Sequence, residues 1–166
     1  MIRPILLLGD PRLYEVSAAV EPHKLAALAP VVVDLHDTLM DYRARYGAGR
    51  AIAAPQIGVA KRLIYMCIDT PVVFVNPVLS FEDDDMMDVL DDCMSFPGLY
   101  VRLRRHRRCR VDFSDLEGNP QTLRFEGDLS ELIQHEYDHL DGILATQRGA
   151  DATALVMRAL PQKEGV

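Results

Sequence analysis

His135-Glu136-Tyr137-Asp138-His139 sets two imidazoles and a carboxylate within one short run of the chain. At 3.6 residues per turn, positions i and i+4 share a helix face, so both histidines can reach one metal ion. Glu136 directly follows the first histidine, where it can take a proton from water activated by that metal. The competing reading is a surface helix with two solvated histidines. Two histidines also leave a catalytic site one ligand short, because three protein ligands and an open position are usual. Of the cysteines Cys67, Cys93 and Cys109, Cys93 is the candidate third ligand, since it sits in the turn-like stretch Asp91-Asp92-Cys93-Met94-Ser95-Phe96-Pro97-Gly98. A lone cysteine is more often a small buried hydrophobe. Cys67, inside Tyr65-Met66-Cys67-Ile68, and Cys109, in an arginine-rich strand, fit that description.

Several elements must position these groups. Ser130 is a plausible N-cap for a helix running through Leu140 and closed by Gly142. Between Lys24 and Tyr46, Leu25, Leu28, Val32, Leu35, Leu39 and Tyr42 recur at three- and four-residue steps. That spacing predicts an amphipathic helix, with Pro30 marking a late start or a kink and Gly47-Ala48-Gly49 ending it. Leu63–Ile68 and Val72–Val75 read as buried strands, and 107–113 and 121–125 as a hairpin around Leu116-Glu117-Gly118-Asn119-Pro120. A last short helix is expected from Asp151 to Leu160, stopped by Pro161. Helices at both ends with strands between them indicate an α+β fold.

The composition bounds the function. The chain has 166 residues, 49% of them hydrophobic, and a net charge of −7. No repeat or Ser/Gly linker divides it, so residues 1–166 are expected to form one domain. No apolar run approaches the ~20 residues of a membrane span, and the start Met1–Leu8 is too short for a signal peptide. Three cysteines are too few for a disulfide scaffold, which fits a reducing, cytoplasmic setting. The negative balance argues against nonspecific nucleic-acid binding, and no specific DNA binding is expected. Arg102, Arg104, Arg105, Arg107, Arg108 and Arg110 read as solvated arginines on a pair of edge strands, with ribosomal RNA or an acidic partner as the functional alternative. The acidic run Glu82-Asp83-Asp84-Asp85, with Asp88, reads as a solvated loop able to neutralise them.

Three separated segments resemble the signature motifs of peptide deformylases, G-x-G-x-A-A-x-Q, E-G-C-L-S and Q-H-E-x-D-H. Here they stand as Gly49-Arg50-Ala51-Ile52-Ala53-Ala54-Pro55-Gln56, Asp91-Asp92-Cys93-Met94-Ser95 and Gln134-His135-Glu136-Tyr137-Asp138-His139. Their order and separations agree, and likeness at Gly9-Asp10-Pro11-Arg12-Leu13 extends the resemblance over residues ~2–147. The resemblance implies antiparallel sheets around a central helix that carries both histidines. It implies one divalent metal held by Cys93, His135 and His139, commonly Fe²⁺, with zinc and nickel forms also occurring. It also implies hydrolysis of the formyl group from N-formylmethionyl peptides, with the ribosome exit as a candidate place of action. Gln56 and the Met94 amide would bind the formyl oxygen and Glu136 would move the proton.

Departures from the motifs concern the substrate surround. Gly49 and Ala51 fall on the substrate path, and Ala51, in place of the second glycine, adds a methyl group that narrows it and penalises any positive φ. Asp91 and Asp92 stand where the family has Glu-Gly, so Asp92 brings a charge near the pocket for the first substrate side chain. Tyr100 falls where family members commonly carry Arg, and Glu131, four residues before His135, where they tend to be apolar. Two alternatives stay open: a related amidase acting on another N-acyl compound, and a weakly catalytic metal-binding relative acting through a partner.

Overall fold

Pro22 and Pro30 divide the long N-terminal helical stretch. In the computed structural model, which describes residues 1–158, Pro22–Leu28 winds as a 3-10 helix and α1 then runs over Ala29–Tyr46. Pro30 lies in the first turn of α1, where a missing N–H costs no intrahelical bond, so it marks the late start and not a kink. Gly47, at φ 68°, ends α1 with its N–H bonded to the Arg43 carbonyl at 2.9 Å.

Strands among the described residues form two antiparallel sheets. The larger contains β1 (Ala51–Ala53), β2 (Leu63–Cys67), β3 (Pro71–Ser80), β6 (Arg108–Ser114) and β7 (Pro120–Glu126), in the order β1-β2-β3-β6-β7. The smaller contains β4 (Met86–Asp92), β5 (Leu99–His106) and β8 (Leu155–Met157), in the order β4-β5-β8. On the larger sheet, α1 places Leu35 and Leu39 against Ile52, Leu63, Tyr65 and Val75. The opposite face takes α2 (Asp128–Leu140), whose Ile133 and Leu140 meet Ala51, Ala53, Ile64 and Phe74. Successive β1 side chains point to opposite faces, so bulky Ile52 faces α1 while the two alanines let α2 lie close. Behind the smaller sheet, Val101 and Leu103 pack with Leu13, Phe96 and Leu144. The α+β arrangement of antiparallel sheets around the histidine-bearing helix is therefore present.

Four local expectations need correction. Ser130 is not the N-cap, because α2 begins at Asp128 after Gly127, and the Ser130 hydroxyl donates to the His106 carbonyl at 2.9 Å. Instead of a terminal helix from Asp151, the chain makes one 3-10 turn over Ala152–Ala154 and then β8. Pairing of Leu155 with Val101 and of Met157 with Leu99 supplies backbone bonds that outweigh a weak local helix preference; residues 159–166 of that expectation lie outside the described residues. The arginine strands are not both edges: β6 lies between β3 and β7, and β5 between β4 and β8. Nor are all the arginines solvated. Arg104 is exposed, but alternate residues of β5 turn inward and leave Arg105 only 3% exposed. The acidic loop does neutralise its neighbours, with Arg107–Asp85 at 3.1 Å, Arg108–Asp83 at 2.9 Å and Arg124–Glu82 at 3.0 Å.

Candidate active site

Both ends of α2 are tied down, and this fixes where His135 and His139 point. Near its start, Gln134 Nε2 donates to the His106 carbonyl at 2.8 Å while its Oε1 accepts from the His106 N–H at 3.0 Å. Together with Ser130 this clamps α2 to the end of β5. At the other end, the Ser17 N–H donates to the Leu140 carbonyl at 2.8 Å. Gly142, at φ 69°, passes so close to the N-terminal segment that a Cβ there would lie 2.5 Å from the Tyr14 carbonyl oxygen. Only glycine fits that approach.

Cys93 comes from the other sheet. It follows β4 directly and begins a turn in which the Phe96 N–H bonds to the Cys93 carbonyl at 3.1 Å. Its Sγ lies 3.3 Å from His139 Nε2, which lies 3.2 Å from His135 Nε2. All three ligand atoms fall within 4.8 Å of one another, and all three residues are buried. Tetrahedral bonds of about 2.0–2.3 Å to nitrogen and sulfur would separate such ligands by roughly 3.3–3.6 Å. The donor set and its spacing therefore fit a metal ion, and the fold brings together the three residues singled out in the sequence.

A buried charged chain stands behind the triad. The Nδ1–H of His135 donates to Asp91 Oδ1 at 2.6 Å, which leaves Nε2 facing Cys93 and His139. Arg105 donates to the second Asp91 oxygen at 2.7 Å and to Asp138 at 2.5 Å. Arg148 then closes on Asp138 at 2.5 Å. Burial alone would raise the Asp91 pKa, but His135 and Arg105 beside it hold it down at about 2. Burial likewise works against a charged His135, yet Asp91 and Cys93 drive its pKa well up. His139, buried and beside His135, is pushed well down and so presents a neutral imidazole. Its Nδ1 has no hydrogen-bond partner among the described residues.

The triad opens on a cavity of about 270 Å³ whose lining includes Gln56 and Glu136 together with Cys93 and His135. Gln56 is fully buried and not the surface loop residue that its position alone would allow. Its Oε1 accepts from the Ala53 N–H at 2.8 Å, which turns the amide so that Nε2 faces Cys93 Sγ at 3.5 Å and Ser95 Oγ at 3.2 Å. Burial raises Glu136 to about 7, and its Oε2 has no hydrogen-bond partner among the described residues. The N–H of Met94 is likewise unbonded among them.

Gly49, Ala51, Asp92, Met94 and Glu131 line the same cavity. Gly49 has φ 110°, and a Cβ there would lie 3.2 Å from Leu39 Cδ1. Ala51 sits in extended β1, paired with Met66, so its methyl group carries no positive-φ penalty. Tyr100 does not line the cavity: it pairs with Asp92 across β4 and β5, and its ring lies under the Arg158 guanidinium at 5.2 Å. Sequence reasoning missed Arg105 and the service of Asp91 to His135. The alternation Val101, Leu103, Arg105 was the available signal, since period-2 spacing puts all three on one face.

Comparison with known proteins follows the same lines. Residues 2–154 match the family described as Polypeptide deformylase. A peptide deformylase of Parafrankia sp. (strain EAN1pec) is 38% identical over 166 residues, covering 98% of this chain and 87% of the relative. A peptide deformylase-like protein of Brucella melitensis is 36% identical over 152 residues, covering 89% and 88%. Among solved structures, the peptide deformylase of Thermotoga maritima superposes with a TM-score of 0.82 at 28% identity, covering 91% of this chain and 99% of that one. That of Synechococcus elongatus, in complex with actinonin, gives 0.83 at 29% identity, covering 93% and 84%. Two histidines on a helix held between two sheets, a cysteine brought to them from the end of β4, and a match along nearly the whole sequence place this chain in the polypeptide deformylase family.

Proposed function

We propose that this protein hydrolyses the formyl group from N-formylmethionyl peptides and releases formate. The observation that carries the reading is one cavity whose lining holds Cys93 and His135 of the three clustered candidate ligands, the buried Glu136 with its unpartnered Oε2, and the pinned Gln56 amide. Cys93, His135 and His139 are the ligands of the metal, and Fe²⁺ is the ion proposed. When bound there, a divalent ion supplies Lewis acidity toward the attacking water and the formyl oxygen.

The remaining roles fall to the chain itself. Glu136 takes the proton from the attacking water and delivers it to the amide nitrogen as the carbon–nitrogen bond breaks, leaving formate and a free amine. Negative charge develops on the formyl oxygen, and Gln56 Nε2 and the Met94 N–H are the donors placed to receive it. Gln56 needs little reorganisation, because Ala53 already holds its other end. Asp91 keeps His135 in the required tautomer and is a positioning residue. Gly49 and Ala51 form the wall along which the peptide lies, with Asp92 and Glu131 beside its side chains.

The substrate is a formylated nascent or completed chain, and the setting proposed is the cytoplasm. No helix among the described residues is long and apolar enough to cross a membrane. Arg102, Arg104 and Arg158 line one surface cavity, and this is the face proposed to meet the ribosome. Release of the free N-terminal amine, with formate or acetate as co-product, is to be measured with formyl-Met and acetyl-Met peptides of the same sequence. Release from the formyl peptide alone is expected. Equal release from both would favour a broader N-acyl amidase, and release from neither would overturn the proposal.

A further inference from the structure

The chemistry above uses the ligands, Glu136 and Gln56, and gives no task to two other carboxylates of the cavity. Glu131 lies one turn ahead of His135 on α2 and is half-buried; Asp92 directly precedes Cys93 and is exposed at the end of β4. Both line the cavity with Glu136, whose buried Oε2 also lacks a partner among the described residues. No cationic side chain pairs with Glu131 or Asp92 among those residues. Arg50, a basic residue of the same lining, is bonded to Asp128 at 2.8 Å. Burial raises Glu131 to about 7, and Asp91 adds to this against the pull of Arg105, Arg50 and His135. A half-buried carboxylate without a cation has lost water and gained nothing in return.

We infer that the cavity prefers formylated peptides whose first side chain is cationic, the Lys or Arg head group meeting Glu131 inside and Asp92 at the rim. The inference rests on the deformylase reading and narrows its substrate class. One helical turn, about 5.4 Å, separates Glu131 from His135, a distance that the stem of a lysine can span from the reacting end. Methionine peptides remain substrates, because the reacting groups do not depend on the side chain. The cation adds a partner that the cavity wall lacks.

The metal-loaded enzyme is to be tested with formyl-Lys, formyl-norleucine and formyl-Met peptides that are otherwise identical. Norleucine has the lysine stem without its ammonium group, so the Lys-to-norleucine ratio of kcat/KM isolates the charge. That ratio is expected to be about tenfold in favour of Lys, the order of a close charge pair. Glu131→Gln should reduce it about tenfold, and Asp92→Asn, at the exposed rim, by less. Inhibition by the deformylated Lys and norleucine peptides gives a second readout that needs no turnover, and it should show the same loss in Glu131→Gln. A wild-type ratio at or below one, or a ratio unchanged in both variants, overturns the inference, while formate release from formyl-Met leaves the deformylase reading standing. Formate from none of the peptides overturns that reading and the inference together.

Discussion

Replacing Arg105 with Met removes the cation from the centre of the chain that supports His135 and nearly preserves its stem. Arg105 is 3% exposed and lies between Asp91, 2% exposed, and Asp138, whose side chain is 8% exposed. Deleting one partner of a buried pair costs about 3–5 kcal/mol, because the remaining charge is left without compensation. Here each carboxylate keeps a second partner, His135 for Asp91 and Arg148 for Asp138, so the lower end of that range, about 3 kcal/mol, is expected. For a chain of this size, 1 kcal/mol shifts Tm by about 2–4 °C, which predicts a fall of about 6–12 °C. Asp91 would also lose the group that fixes its second oxygen, so metal affinity should drop about 10–100-fold. Thermal melts of metal-free protein and competition with a chromophoric chelator measure the two effects separately. Arg104→Met is the control: Arg104, next to Arg105 but on the opposite face of β5, is 66% exposed and lies 3.7 Å from Asp88, a pair worth less than about 1 kcal/mol. Equal melting shifts in the two variants, with metal affinity unchanged in both, would refute the positioning argument.

Other expectations follow from the same geometry. Glu136→Gln should lower formate release by about 10²–10⁴-fold with metal content retained, and unchanged turnover would remove Glu136 from proton transfer. Cys93→Ala, His135→Ala and His139→Ala should each sharply reduce bound metal by elemental analysis, whereas Cys67→Ala and Cys109→Ala should leave it at the wild-type level. With Fe²⁺ loaded, activity should decay faster in air than under anaerobic conditions; equal half-lives would count against iron as the working metal. Gly142→Ala combines a positive φ with a 2.5 Å approach to the Tyr14 carbonyl, and a melt should show a loss of at least about 1–3 kcal/mol.

The two histidines were legible because their geometry is local: His135 and His139 share a face by helix periodicity alone. Cys93, more than forty positions earlier, was reached through the likeness of Asp91-Asp92-Cys93-Met94-Ser95 to a deformylase motif. Arg105 was legible only through its alternation with Val101 and Leu103, since the six arginines by themselves do not say which of them turns inward. That is decided by the phase of β5 and by where α2 crosses it. Ser130 shows the same limit. A serine near a helix start satisfies the rule for caps, but the His106 carbonyl competes for its hydroxyl and the helix begins at Asp128. β8 was missed because its pairing partner lies more than fifty positions earlier in the chain, beyond the reach of any local pattern.

The division between network and wall bears on how such a site can change. His135, Asp91, Arg105, Asp138 and Arg148 are bonded in sequence across α2, β4, β5 and the turn that follows α2, so a substitution at any of them disturbs the fold and the metal site together. Glu131 and Asp92 stand outside that chain, lining the cavity without a salt-bridge partner among the described residues. Exchanging them alters what the substrate meets while leaving the supports of His135 in place. Glu131→Ile should therefore leave the unfolding free energy within about 1 kcal/mol of wild type while changing the side-chain preference. A large melting shift in that variant would show that the wall also carries structure, and that substrate preference and stability are coupled at this position.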